Sequence, residues 1–417
     1  MTTLLAIGDM HLGRPPAAIP EDLRGRRGEL GPEVAWSRSV DEAIRRQVDA
    51  VILAGDLVDH RRDFFVAYGQ LKAGVEELAA AGIRILAVAG NHDTEILPRL
   101  AGEIEHLELL GPDGQWQTQK VDKVTILGWS FPRPQVRHSP LESLSVTQKG
   151  TVIGLLHCDL DQVDSPHAPV SRRELEEAPV NAWLLGHIHR PDNLDEDRPI
   201  GYLGSISALR ASETGQRGPW LVQIEGRDIA VDQLPLAPLR YEALDIDCSE
   251  LEDAAELGET VLNAARERLR PLAEHDCPPT AVGLRITLTG QTPAAASLGA
   301  AAAELAADGR SWEEHGMACF VDKIESLVVP RLDLKRLSRQ TDPSGLLARR
   351  LLALESPGDE EYQRLVRLAR ESMSPVLRAR EFRDLESEPD DAAIAAWLRR
   401  AGRLALTRLV AQREETG

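Results

Sequence analysis

The chain has 417 residues, of which 42% are hydrophobic and 28% charged, with a formal net charge of −19. That length supports two or three domains, each with its own core. The acidity excludes a simple basic nucleic-acid coat, so a polyanionic substrate would need bound cations and local arginine clusters. The start, "MTTLLAIGDMHLG", has no basic stretch or cleavage site of a signal peptide, and no apolar run approaches the roughly 20 residues of a membrane span. Cys158, Cys248, Cys277 and Cys319 lie far apart with no CxxC pair, so neither a zinc ribbon nor a disulfide framework is expected, and a cytoplasmic location is.

In chain order, short runs rich in Val, Ile and Leu end in glycine or a polar residue. They are "TLLAIGD" (3–9), "AVILAGD" (50–56), "RILAVAGN" (84–91), "VTILGW" (124–129), "TVIGLLH" (151–157) and "AWLLGH" (182–187). Each reads as a buried strand emptying into a loop. Amphipathic helices are predicted at about 34–48 and 63–81, and the alternation implies a layered α/β core. "PIGYLGS" and "PWLVQIEG" follow at shorter spacing, as in an antiparallel sheet. Two packed β-sheets flanked by helices are therefore expected over 1–235. Prolines cluster in "DQLPLAPLRYE" (232–242), which sets a boundary. Strand 240–247, helix 251–270, strand 280–289, helix 294–307 and strand 317–328 then predict a small α/β module over 236–341. Residues 342–417 read as almost wholly helical, broken at 356–359 and 385–391.

The strand ends carry the chemistry. They supply Asp9 and His11 ("GDMH"), Asp56 ("GDLVDH"), Asn91, His92 and Asp93 ("GNHD"), His157 ("LLHCD"), and His187 and His189 ("GHIH"). Taken singly, a Gly-Asp pair is more often a helix cap or tight turn. Five such motifs in order, converging on one rim of an α/β sheet, are a ligand set. It holds oxygen and imidazole donors without sulfur, which suits Mn, Fe or Zn, and it is too large for one ion. Two ions clamp the attacking and leaving oxygens of a phosphoryl displacement, and Asp56, on a middle motif, is the best candidate to bridge them.

The series "GDMH…GDLVDH…GNHD…H…GHIH" resembles the calcineurin-like metallophosphoesterase superfamily. "GHIHRP…GYLGSISALRASETGQRGPWLVQI", with its E-x-G-x-x-G stretch, and "DSPHAPVSRREL" are similar to the SbcD/YhaO-type DNA repair exonucleases. The likeness is strong over 1–235 and weakens beyond. It implies a four-layer core with a capping domain and a helical C-terminus. It also implies two divalent ions, Mn²⁺ in the first instance. One would be held by Asp9, His11, Asp56 and His189, the other by Asp56, Asn91, His157 and His187. By the same resemblance His92 protonates the leaving oxygen and Asp93 orients its ring. One departure stands out: some nucleases of this kind have a histidine three positions after the second motif's aspartate. Here that position is Asp59, with His60 next, so a role for His60 on DNA is set against one for Asp59 behind the ligands.

Candidate grips for backbone phosphates are His60, Arg61, Arg62, Arg133 and Arg210, with Arg24, Arg26, Arg27, Arg137 and Arg217 also in loops near the motifs. The resulting expectation is a two-metal DNA exonuclease acting on double-stranded ends. The competing reading is a cyclic-nucleotide-type metallophosphodiesterase, against which stands a C-terminal chain that a small substrate does not require. A protein phosphatase would show "GDxxDRG" and "GNHE". Apolar stripes in the last helices, among them Leu346, Leu347, Leu351 and Leu352, then Leu365, Val366 and Leu368, then Ile394, Trp397, Leu398, Leu404, Leu406 and Leu409, offer a docking face. The resemblance points that face at an SbcC-like coiled-coil ATPase. It also leaves room for a homodimer, and no membrane partner is expected.

Overall fold

The computed structural model describes residues 1–16, 18–59, 64–377 and 389–416. One sheet has six strands: β1 (Thr2–Ile7), β2 (Ala50–Leu53), β3 (Arg84–Ala87), β4 (Leu107–Leu109), β10 (Trp220–Glu225) and β11 (Asp228–Gln233), in the order β11-β10-β1-β2-β3-β4. A second has five: β5 (Gln117–Val121), β6 (Val124–Trp129), β7 (Thr151–His157), β8 (Ala182–Gly186) and β9 (Ile200–Tyr202), in the order β5-β6-β7-β8-β9.

Alternation along the strands builds the layers. Leu5, Ile7, Val51, Leu53 and Ile85 face the helices α1 (Pro32–Arg46), α2 (Phe64–Ala80) and α3 (Ile96–Glu103), in a core that includes Trp36, Leu71 and Leu97. Leu4, Ala6, Ile52 and Leu86 point the other way and share a core with Ile126, Ile153, Leu155 and Leu184 of the second sheet. The far face of that sheet buries Trp129, Val152, Leu156, Trp183 and Leu185 with Leu175 of α4 (Arg172–Glu177). These strands are buried on both faces, which is why they read as unbroken apolar runs.

Register sets the rim. Ile7, Leu53 and Ala87 end the parallel strands β1, β2 and β3 in step, with Ile7 opposite Leu53 and Leu53 opposite Ala87. In the second sheet His157 pairs with Gly186. All five motifs therefore leave the sheets at carboxyl ends. Two expectations need correction. Ile200–Tyr202 pairs parallel with β8, not antiparallel, while Trp220–Glu225 does run antiparallel, along β1. The helix expected from 251 is α5 (Leu257–Ala273), because Asp253 caps a short 3₁₀ turn first by accepting from the Ala255 N–H at 3.0 Å.

Further along, β12 (Leu239–Asp247), β13 (Ala281–Thr289), β15 (Ser311–Glu314) and β16 (Met317–Ser326) form a four-stranded sheet in the order β12-β13-β16-β15, and β14 (Gln291–Thr292) pairs with β17 (Val329–Pro330). Helix α6 (Ala295–Asp308) lies between β14 and β15 in sequence. The chain forms two compact units, one of residues 1–244, 262–286 and 306–324, the other of 245–261, 287–305 and 325–417. In the first, Tyr241 and Phe320 pack with Ile19, Leu23 and Leu30, the loop that follows the first motif. The second is mainly helical: α7 (Leu334–Leu337), α8 (Pro343–Ala353), α9 (Glu360–Leu377) and α10 (Asp391–Thr416). There Leu334, Ala348, Leu351 and Leu406 make one small core, and Tyr362, Val366 and Ile394 another. No helix among the described residues is long and apolar enough to cross a membrane.

Candidate metal centre

The strand ends turn sharply. Asp9 (φ 40°), His11 (φ 47°), Asp56 (φ 51°) and His187 (φ 109°) all have backbone angles that side-chain-bearing residues avoid, a conformation that costs on the order of 1–3 kcal/mol each. The neighbouring glycines are there for space. A Cβ on Gly90 would lie 2.1 Å from Asp56 Oδ1, and one on Gly186 would lie 2.1 Å from the Ala54 carbonyl oxygen.

Two groups of donor atoms result, Asp9 with His11 and His189, and Asp56 with His157 and His187; within each group the atoms lie within 4.8 Å of one another. In the first, the Nε2 atoms of His11 and His189 stand 3.1 Å apart. In the second, His157 Nε2 is 3.4 Å from Asp56 Oδ2 and 3.0 Å from Asn91 Oδ1. The groups are cross-tied. The His187 N–H donates to both Asp9 oxygens (3.0 and 3.1 Å), and the His11 N–H donates to the Asp56 carbonyl at 2.9 Å. The structure thus brings together Asp9, His11, Asp56, Asn91, His157, His187 and His189.

Each histidine has its other ring nitrogen on an oxygen. His11 Nδ1 faces Asp59 Oδ1 (3.2 Å), His157 Nδ1 the Ala54 carbonyl (3.0 Å), His187 Nε2 Asp159 Oδ1 (3.2 Å), and His189 Nδ1 Glu213 Oε1 (2.9 Å). Such partners set the tautomer and help to orient the ring in metal sites. Asp159 and Glu213 are the residues that motif reading missed. Asp159 lies two beyond His157 on an extended chain, and Glu213 opens the E-x-G-x-x-G stretch, so both had a sequence signal. Glu213 is itself held by the Leu209 N–H (2.8 Å). Arg217 is buried and donates to the His189 carbonyl, so it braces the centre and is no phosphate grip.

The assignment of Asp93 also needs correction. Its buried carboxylate accepts from the Gly90 and Leu57 N–H groups, both at 2.7 Å, and so ties the second motif to the third. The carboxylate beside the His92 ring is Asp59, 3.4 Å from Nδ1. Asp59 also pairs with Arg14 at 3.7 Å. Of the proposed phosphate grips, His60, Arg61 and Arg62 lie outside the described residues, and Arg133 and Arg210 are exposed. Arg24 and Arg26 form surface pairs with Glu21 and Glu29.

Charge decides what the centre can hold. Burial works against ionisation of Asp56, yet His157, His11 and His92 outweigh it and keep that carboxyl far below its usual range. Burial, reinforced by the charge of Asp56, pushes Asp93 up to about 7. Burial would lower His157, but Asp56 and Asp9 raise it to about 9. Asp9 and Asp56 are buried, and neither pairs with a lysine or arginine among the described residues. Buried carboxylates are normally paired or bind metal. The donor set of carboxylate, amide and imidazole without sulfur fits divalent cations.

Comparison with known proteins agrees. Residues 2–191 match the calcineurin-like phosphoesterase family, and residues 241–328 match the middle domain of metallophosphoesterase YhaO. The chain is 26% identical over 308 residues to an uncharacterized metallophosphoesterase YhaO of Bacillus subtilis, covering 70% of this chain and 72% of that one. It is 26% identical over 293 residues to the DNA double-strand break repair protein Mre11 of Aeropyrum pernix, covering 65% and 68%. With the protein of that name from Sulfurisphaera tokodaii it shares 31% over 231 residues, covering 51% and 56%. The chain therefore carries a calcineurin-like metallophosphoesterase domain, a metal-dependent hydrolase of phosphoester bonds, followed by a middle domain of the YhaO type.

Proposed function

We propose that this chain is a DNA nuclease that removes nucleotides from double-stranded ends with two Mn²⁺ ions. The observation that carries the reading is the pair of cross-tied donor groups beside an exposed histidine, in a chain whose relatives include proteins named for DNA double-strand break repair. Asp9, His11 and His189 would hold one cation, and Asn91, His157 and His187 the other, with Asp56 between them. When bound, such a pair supplies positive charge to the attacking and leaving oxygens of an in-line displacement. His92 is 43% exposed at the rim, with Nδ1 on Asp59, which leaves Nε2 to give its proton to the departing oxygen. Asp59 holds the ring in that orientation. The exposed Arg133 and Arg210 lie on loops of the same domain and grip backbone phosphates; His60, Arg61 and Arg62 join them in this reading.

Residues 1–235 form the nuclease domain in this scheme and 236–341 a capping module. Residues 342–417 bind a large coiled-coil ATPase of the SbcC kind. Trp397 and Leu404 of α10 are about half exposed and seven residues apart, so they share one helix face suited to a partner. The test gives the full chain, with Mn²⁺, end-labelled duplex DNA, single-stranded DNA and cyclic AMP in parallel. Nucleotides released from duplex ends are expected. Hydrolysis of cyclic AMP with DNA left intact would overturn the reading in favour of a small-molecule phosphodiesterase. For the partner, Trp397→Asp with Leu404→Asp should abolish co-purification with the ATPase while DNA hydrolysis continues.

A further inference from the structure

The loop between β7 and α4 closes on one metal-facing histidine from two sides. Its second residue, Asp159, receives His187 Nε2 at 3.2 Å. Near its other end the His167 ring stacks on the His187 ring, with centroids 5.1 Å apart and planes 27° from parallel. The two ends are tied to each other. The Asp159 N–H donates to the His167 carbonyl at 2.9 Å, Ser165 Oγ donates to Asp159 Oδ2, and the His167 N–H donates to Ser165 Oγ at 3.0 Å. The Ala168 N–H in turn donates to the Val136 carbonyl at 2.7 Å, which fastens the loop to the body of the domain.

His167 Nδ1 is buried without a hydrogen-bond partner among the described residues. The ring's contribution to His187 is therefore not made through that nitrogen. What it offers is a flat face. One hydrogen bond at Nε2 fixes a single point of the His187 ring, about which the ring can pivot and swing Nδ1. A second ring lying face-on removes that freedom. The need is real, because His187 sits at φ 109° and its backbone does not prefer the pose by itself.

We propose that His167 is a positioning residue: stacked on His187 while Asp159 holds Nε2, it fixes the plane in which His187 presents Nδ1 to a cation. This rests on the two-metal reading above. Losing such support typically costs about 10–100-fold in metal affinity. Two substitutions separate the ring face from the nitrogen. His167→Leu fills the space without a flat ring, and His167→Phe keeps the ring without nitrogen.

The experiment titrates the full chain with Co²⁺ alone, following heat and the visible absorption of bound cobalt. Native protein should bind two ions. His167→Leu should weaken one of them by about 10–100-fold and shift its absorption band, leaving the other unchanged. His167→Phe should bind both nearly as the native chain does. Unchanged binding and spectrum in His167→Leu would overturn the proposal, as would His167→Phe being as impaired as His167→Leu, since the nitrogen would then matter. If the native chain binds fewer than two Co²⁺ ions, the two-metal reading itself is what fails.

Discussion

Replacing Gly90 by alanine tests whether the centre depends on close approach of the third motif to the second. The added Cβ would lie 2.1 Å from Asp56 Oδ1, 2.7 Å from its backbone nitrogen and 2.8 Å from Cγ. Ordinary non-bonded contact is about 3.5 Å, so something must move by more than about 1 Å. Neither side yields freely. Asp56 Oδ1 accepts from the His92 N–H at 3.0 Å, and the Gly90 N–H donates to Asp93 at 2.7 Å. Overpacking of this kind costs about 1–3 kcal/mol, which a folded domain survives, while a displacement of about 1 Å at reacting groups costs about 100-fold in rate. Gly90→Ala should therefore fold, melt at a lower temperature and lose about 100-fold in hydrolysis of bis(p-nitrophenyl) phosphate at saturating Mn²⁺. The control is Gly102→Ala in α3, where a Cβ meets nothing within 4 Å; it should keep its rate. A Gly90→Ala enzyme working at the native rate would refute the steric reasoning.

His92→Ala should retain two metal ions by mass spectrometry and lose about 10²–10⁴-fold on DNA, with a much smaller loss on a nitrophenyl ester whose leaving group needs no proton. Glu213→Gln should weaken one metal ion by about 10–100-fold in a calorimetric titration, because His189 Nδ1 loses its carboxylate. Asp22 accepts hydrogen bonds from Ser311 N–H and Oγ, which hold its carboxyl below the usual range. A depressed carboxyl stabilises the fold above its unfolded value of about 3.9 and ceases to as pH falls through the lower folded one. Urea midpoints of native chain and Asp22→Ala should differ at neutral pH and converge in acid.

The strands of the core were legible because parallel strands buried on both faces are continuous apolar runs, and their in-step ends made the ligand order readable. β5, "QTQKV", carries no such run and lies at the edge of its sheet, so composition gave no sign of it. The direction of Ile200–Tyr202 is not legible, since spacing says nothing of direction when only three residues pair. In the centre, the residues of the two donor groups announce themselves by type and position. Their supports do not: Glu213 lies 24 residues from His189 in sequence, and only folding sets them together. The partners of Asp93 leave no mark in the sequence because they are backbone N–H groups, which nearly every residue has.

The left-handed angles at Asp9, His11 and Asp56 set stability against activity. Glycine adopts such angles without penalty, and three strained positions together oppose folding by several kcal/mol. Replacing one of these residues by glycine removes both a donor and a strain, so inactive descendants of this enzyme can be hardier than their parent. A laboratory screen that selects only for heat resistance would drift towards dead proteins at these positions.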